Sequence, residues 1–259
     1  MSTSISIITP TVRPEGCEII AKCLRKQDFQ DFEWLIVAPE HLRAEIEHYT
    51  ASQPHKFVPE PPKRVGDFYR LCGAWNKAWA NSQGKLSITI QDKIWFPPDM
   101  LSRFWEHYVS NPKAIVTAVG HHFSEIDSIG KPQNQVWQDP RMRTDLGTFY
   151  EVAPSEIEFS VVSIPQQALI DAGGIDEIYD TCPAAGEKEM VFRMRDMGYQ
   201  MFIDQSIEYR AIHHGRLNEN WDKEYIEKTT KIFINHMNQL SEGRRDLNCH
   251  CLEIYNEVV

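Results

Sequence analysis

The sequence predicts an α/β fold built on a central, mostly parallel sheet flanked by helices. Short apolar, β-branched runs recur at 4–9, 33–37 and 86–90, amphipathic helical patterns separate them, and loops rich in proline or polar residues close them. With 259 residues, 42% hydrophobic and 25% charged, the chain can bury one sizeable core.

In order, 4–9 (SISIIT) reads as a first strand closed by Pro10. Residues 15–26 place Ile19, Ile20, Cys23 and Leu24 at helical spacing, and 33–37 (EWLIV) form a second buried strand. Such a β-α-β unit makes its two strands parallel. A helix over 40–52 and a short strand at 56–58 follow. Residues 67–81 carry Phe68, Leu71, Cys72, Trp75, Ala78 and Trp79 three or four apart, which predicts a helix with an aromatic face ending at Gly84. Beyond the strand at 86–90 come a helix over 98–110 and a core strand at 114–119. Residues 121–155, with Gly130, Pro132, Pro140 and Pro154, read as a long excursion over one end of the sheet. A strand at 159–164, a short helix at 165–172, a helix at 187–197, short strands at 200–203 and 207–212, and a helix at 221–240 complete the chain.

A formal net charge of −10 argues against binding a polyanion through the whole surface, although the basic residues at 22–26, 56–70 and 210–216 leave room for a local basic groove. Met1-Ser2-Thr3-Ser4 leads straight into strand-like residues, and no apolar run approaches the ~20 residues that span a bilayer, so no membrane span and a cytoplasmic location are the expectations. The six cysteines show no CxxC pair and are expected to be reduced. Cys249-His250-Cys251 with His236 offers metal-binding groups, but without the usual four-ligand zinc spacing.

The stretch 85–99, KLSITIQDKIWFPPD, carries the chemistry. Its buried strand runs into Gln91-Asp92 and is stopped by Pro97-Pro98. Side chains leaving the carboxyl ends of parallel strands share a crevice where ligands bind, which makes Asp92 a candidate for handling a metal or a phosphate.

Four segments in this order resemble the inverting family-2 glycosyltransferases of the GT-A fold. They are ISIITPTVR, LCGAWNKAWANSQGKLSITIQDKIWFPPDML, GGIDEIYDTCPAAGEKEMVFRMRDMGY and AIHHG, together spanning roughly residues 4–215. The resemblance implies one GT-A domain over 1–259, with a nucleotide-sugar half (1–110), an acceptor half (111–215) and a C-terminal helical segment (216–259). It further implies transfer of a hexosyl or pentosyl group from a nucleoside-diphosphate sugar to an acceptor hydroxyl, with inversion. The acceptor is a polysaccharide, a lipid-linked sugar, a protein or a modified nucleic-acid base.

By the same resemblance Thr9, Pro10, Thr11, Arg13, Asn76, Gln91 and Asp92 contact the nucleotide. Asp92 and His213 or His214 would hold Mn2+ or Mg2+ against the departing diphosphate. Glu187 falls at the position of the base that deprotonates the acceptor, and Glu189 at that of a second acid. Trp75 belongs to the helix's aromatic face, in the core, although its position also matches a nucleotide-side contact.

Three positions depart from the family pattern. Only Glu40 remains after the second strand to grip the base, Ile90 replaces the first acid of the metal motif, and Lys93 follows Asp92, where it would reach a diphosphate itself. A nucleotidyltransferase on a similar sheet and a non-catalytic nucleotide-sugar-binding module are the alternatives. TPTVRPEG lacks the glycine-rich, lysine-bearing loop of the former, and the lost acid at Ile90 keeps the latter open.

Overall fold

The structure, a computed structural model, describes residues 3–126, 132–143, 145–182, 185–212 and 223–244. β1 (Ile5–Pro10), α1 (Gly16–Leu24), β2 (Phe32–Ala38), α2 (Arg43–Thr50) and β3 (Lys56–Pro59) alternate, and the three strands pair in parallel. α3 (Leu71–Ala80) leads to β4 (Leu86–Ile90), which pairs in parallel with β1 on its other side. Then come β5 (Ile94–Trp95), α4 (Met100–Ser110), β6 (Ala114–Ile126), β7 (Pro132–Gln138), β8 (Phe149–Glu151), β9 (Val161–Pro165), α5 (Gln166–Ala172), α6 (Gly186–Asp196), β10 (Gln200–Ile212) and α7 (Lys223–Ser241). The strands form one sheet in the order β3-β2-β1-β4-β9-β6-β10-β5, with β7 on β6 and β8 on β10.

Alternation along the central strands separates two cores. Ile5, Ile7, Ile36, Ile88 and Ile90 face α1 and α4, meeting Cys17, Ile20, Leu24, Leu101 and Phe104. Ile8, Leu35, Val37 and Val162 face the other way, onto Trp75 and Trp79 of α3 and Met190, Val191 and Met194 of α6. Trp75 is 1% exposed and stacks on Trp79, as its place on the aromatic stripe predicts. Phe96 is likewise buried behind the β4 turn, and Trp95 lies under the Arg210 guanidinium.

The expected mostly parallel sheet holds for β3-β2-β1-β4, whereas β9 runs opposite to both β4 and β6, so the sheet is mixed. Residues 121–155, read as a long excursion over one end of the sheet, carry strands of that sheet. β6 continues to Ile126 and pairs antiparallel with β7. Gln133, Gln135, Val136 and Trp137 are exposed, so no apolar alternation marks β7. The two strands expected at 200–203 and 207–212 are one, β10, whose register against β6 slips between Asp204 and Glu208.

α3 starts at Leu71 rather than residue 67 because its first turn is organised from a distance. The Asp67 carboxylate accepts the Arg64 N–H, and the Phe68 and Tyr69 N–H groups donate to the Asp180 carbonyl. The Asp180 carboxylate then accepts from Cys72 N–H (2.8 Å), Gly73 N–H (3.0 Å) and Arg70 Nη1 (2.9 Å). It acts as an N-cap lying more than a hundred residues away. Burial nevertheless raises its pKa to about 6.

Cys17, Cys23, Cys72 and Cys182 are buried thiols. His236 is 5% exposed with Nδ1 3.0 Å from the Tyr179 hydroxyl, and Cys249, His250 and Cys251 lie outside the described residues. Among the described residues no helix is long and apolar enough to cross a membrane.

Replacing Asp180 by Asn leaves Arg70 facing one fewer charge and weakens the cap of α3. Because Glu177 and Asp67 still face Arg70, the loss is that of charge-assisted hydrogen bonds, about 1.5–3 kcal/mol. Urea unfolding of Asp180→Asn should show that loss, and an unchanged midpoint would contradict the role given to this carboxylate.

Candidate active site at the carboxyl edge of the sheet

The parallel register of β1 with β4, Ile8 opposite Thr89, brings the loop after β1 beside the turn after β4. Asp92, 5% exposed, is gripped there from both sides. Thr11 Oγ1 donates to Oδ2 (2.7 Å), and Arg13 lies along the carboxylate with Nε 3.0 Å from Oδ2 and Nη2 2.7 Å from Oδ1. The Arg13 N–H in turn donates to Thr11 Oγ1 (2.9 Å), which fixes the loop. α1 begins against this turn, and a Cβ on Gly16 would stand 2.9 Å from both Asp92 Cβ and Lys93 N. Only glycine permits that approach. Lys93 adopts φ 59° and pairs with Glu15 at 2.8 Å, which holds the Glu15 carboxyl below its ordinary pKa.

The second carboxylate comes from α6. Gln91 N–H donates to the Ser160 carbonyl, so the chain preceding β9 lies on the same edge as Asp92. Lys188 Nζ anchors the first turn of α6 to that chain through the carbonyls of Ser155 (2.9 Å) and Ile157 (2.6 Å) and the Glu158 carboxylate (2.9 Å). Glu187 precedes Lys188, is half-buried, and makes no side-chain ion pair among the described residues. Burial, with the nearby Glu158 charge, raises its pKa above the usual glutamate value. Glu189 is different. It is 0% exposed, with Oε1 2.9 Å and Oε2 3.0 Å from Arg193, which also donates to the carbonyls of Ala172 and Gly174. Its carboxylate holds α6 to the end of α5 rather than facing the crevice.

The remaining candidates divide. Thr9 is 0% exposed and accepts a hydrogen bond from the Trp34 indole (3.0 Å), and Pro10 is buried beside it. Asn76 is also 0% exposed. Its amide is bound to the backbone of Ile175 in both directions and to Glu177, tying α3 to the 175–181 segment. Glu40 is exposed and paired with Arg43. Another acid, Glu60, also ends a strand run at this edge. It follows β3 beside the end of β2, donating its N–H to the Ala38 carbonyl, and burial raises its pKa. The legible signal was an acid just past a strand run. β10 reaches this edge too, Ile212 N–H donating to the Lys93 carbonyl (3.2 Å), but His213 and His214 lie outside the described residues.

These residues do not suit a divalent cation as they stand. Both oxygens of Asp92 already face Arg13, Ile90 is buried where a second acid would be needed, and Lys93 adds a positive charge next to the carboxylate. No cluster of three or more His, Cys, Asp or Glu with metal-binding geometry occurs among the described residues. Depressions of about 400 and 470 Å3 exist elsewhere, one between the ends of α5, α6 and α7, the other at the amino ends of β2 and β3. Neither contains a residue of the carboxyl edge, so chemistry rather than concavity marks the site.

No protein-family model matches the sequence, and no curated protein does. Solved structures do match. S. aureus TarS 1–349 in complex with UDP superposes with a TM-score of 0.62 at 14% identity, over 98% of this chain and 70% of that one. The same fragment with UDP-GlcNAc gives 0.63 and 13%, over 98% and 71%. GalNAc-T7 with UDP, GalNAc and Mn2+ gives 0.61 and 11%, over 82% and 44%. Identities this low establish the architecture, and the chain has the GT-A fold, a mixed α/β domain with a central sheet flanked by helices.

Backbone strain marks both candidate carboxylates. Among the described residues, non-glycine positive φ occurs at Lys93, after Asp92, at Ala185, two before Glu187, and at Asn134 in the β6–β7 region. Left-handed backbone costs an alanine about 1–2 kcal/mol, against roughly 0.4–1 kcal/mol of extra unfolded-state entropy for glycine. Ala185→Gly should therefore gain up to about 1 kcal/mol in thermal unfolding. A loss of that size would contradict the strain.

Proposed function

We propose that this protein transfers a sugar from a nucleoside-diphosphate sugar to an acceptor hydroxyl with inversion at the anomeric carbon, as a family-2 glycosyltransferase. The observation that carries the reading is Glu187: a half-buried carboxyl with a raised pKa, held on the same edge of a GT-A sheet as Asp92 by the Lys188 anchor. UDP and UDP-GlcNAc in the TarS structures and UDP in GalNAc-T7 favour a uridine-diphosphate donor. The half before residue 110 takes the donor, Glu60 rather than Glu40 facing its base. The half over 111–215 shapes the acceptor site, with the segment after 216 as a helical extension. The sugar moved is a hexose or a pentose, and the class of acceptor is set by that second half.

A single displacement inverts the centre. The acceptor O–H donates to the Glu187 carboxylate, its oxygen attacks the anomeric carbon from the face opposite the diphosphate, and the proton passes to Glu187 as the bond to the leaving phosphate oxygen breaks. A carboxylate with an elevated pKa is the better base near neutral pH, since its proton affinity is closer to that of the medium. The negative charge gathering on the departing diphosphate falls on the Asp92 side, where Arg13 is the available cation.

A panel of radiolabelled nucleotide sugars tests the class. Slow donor hydrolysis is expected from a transferase, none from a binding module, and pyrophosphate-dependent chemistry from a nucleotidyltransferase. Glu187→Gln should lower kcat about 10²–10⁴-fold while leaving donor Kd within about twofold; undiminished turnover would remove Glu187 from the chemistry.

The sign of the pH dependence follows from the raised pKa. A base works above its pKa, so kcat/KM should fall as the medium is acidified through a value higher than an ordinary glutamate's. That acid limb should be missing from the residual activity of Glu187→Gln, and a limb unchanged by the substitution would belong to another group.

A further inference from the structure

We propose that Arg13 stands where a divalent cation would otherwise act, so that the protein binds nucleoside diphosphates without metal. This rests on the donor reading above and adds the identity of the charge that meets the diphosphate.

The carboxylate that would ligate an ion is already paired with a cation. The Asp92 side chain is 3% exposed, Arg13 contacts each of its oxygens, and Thr11 adds a hydroxyl donor. A guanidinium fork matches a carboxylate in two parallel contacts and does not lose its proton in proteins. A cation on Asp92 would compete with the Arg13 guanidinium for the carboxylate. Local charge points the same way. Asp92 and Glu15 face Arg13 and Lys93, two negative groups against two positive ones, so a divalent ion would enter a balanced site beside two fixed cations. The amino end of α1, which Gly16 allows to press on Asp92, adds partial positive charge. Such surroundings favour an incoming anion.

Arg13 can serve that anion while keeping Asp92. Its side chain is 30% exposed, and Nη1 has no partner among the described residues. Nε donates to Asp92 Oδ2 and Nη2 lies 2.7 Å from Oδ1, so both N–H groups of Nη1 stay available for phosphate oxygens. Asp92 then acts as a positioning residue, presenting the guanidinium at the mouth of the crevice.

Calorimetric titration with UDP and GDP, in excess EDTA and again in Mn2+, tests this directly. Wild-type Kd should agree within about threefold between the two conditions. A charge-assisted hydrogen bond is worth roughly 1.5–3 kcal/mol, so Arg13→Gln should weaken binding in EDTA by roughly 10–100-fold. Because the substitution frees Asp92, Mn2+ should recover part of that loss in Arg13→Gln, and Mn2+ titration followed by electron paramagnetic resonance should detect tighter ion binding by the variant than by wild type. Wild-type binding that needs Mn2+ overturns this inference and leaves the donor reading standing, as does Arg13→Gln binding as well as wild type in EDTA. If wild type binds neither nucleotide in either condition, both fall. Should Arg13→Gln fail to fold, the wild-type comparison still decides.

Discussion

Parallel pairing of β1 with β4 is the constraint on which the rest of the site depends. Two strands running the same way, with Ile8 opposite Thr89, end at the same level, so what the chain places after each strand must meet. After β1 it places Thr11 and Arg13; after β4, Gln91, Asp92 and Lys93. Opposite charges at that meeting close it into a clamp, and Gly16 lets the first helix seal one side. An antiparallel β4 would put Asp92 at the other edge of the sheet, away from Arg13 and from the start of α6.

A second set of buried charges holds the start of α6 in place. Arg70, Glu177, Asp180 and Asn76 join α3 to the 175–181 segment, and Glu189 with Arg193 joins α6 to α5. Pairs of this kind add little net stability once desolvation is counted, yet leaving one partner alone is costly. Their effect is to fix where the first turn of α6 sits. The strained backbone at Ala185 is tolerated because these contacts determine its surroundings, and that at Lys93 is held by the ion pair with Glu15.

Much of this was legible in the residues, for physical reasons that also explain what was not. β1, β2, β4 and α1 are buried strongly enough for period and branching to show, and Asp92 stood out as an acid ending a buried strand. β7 exposes most of its length and β10 changes register midway, so neither leaves a clean pattern. The start of α3 depends on Asp180, a cap that no local motif announces. Family likeness gave Glu187 the base position and Glu189 that of a second acid; packing adds that Glu189 is closed on Arg193 while Glu187 makes no side-chain ion pair among the described residues. Asn76 and Thr9 look like ligand-binding groups in one dimension and are engaged by the protein itself in three.

In the proposed function, Arg13 and Glu187 face a single nucleotide-sugar site across the carboxyl edge of the sheet. A crystal structure with a non-hydrolysable nucleoside-diphosphate sugar tests it most directly. The account predicts phosphate oxygens within hydrogen-bond distance of the Arg13 guanidinium, and the anomeric carbon between them and the Glu187 carboxylate. A nucleotide seated at the amino ends of β2 and β3, or one whose sugar points away from α6, would contradict it.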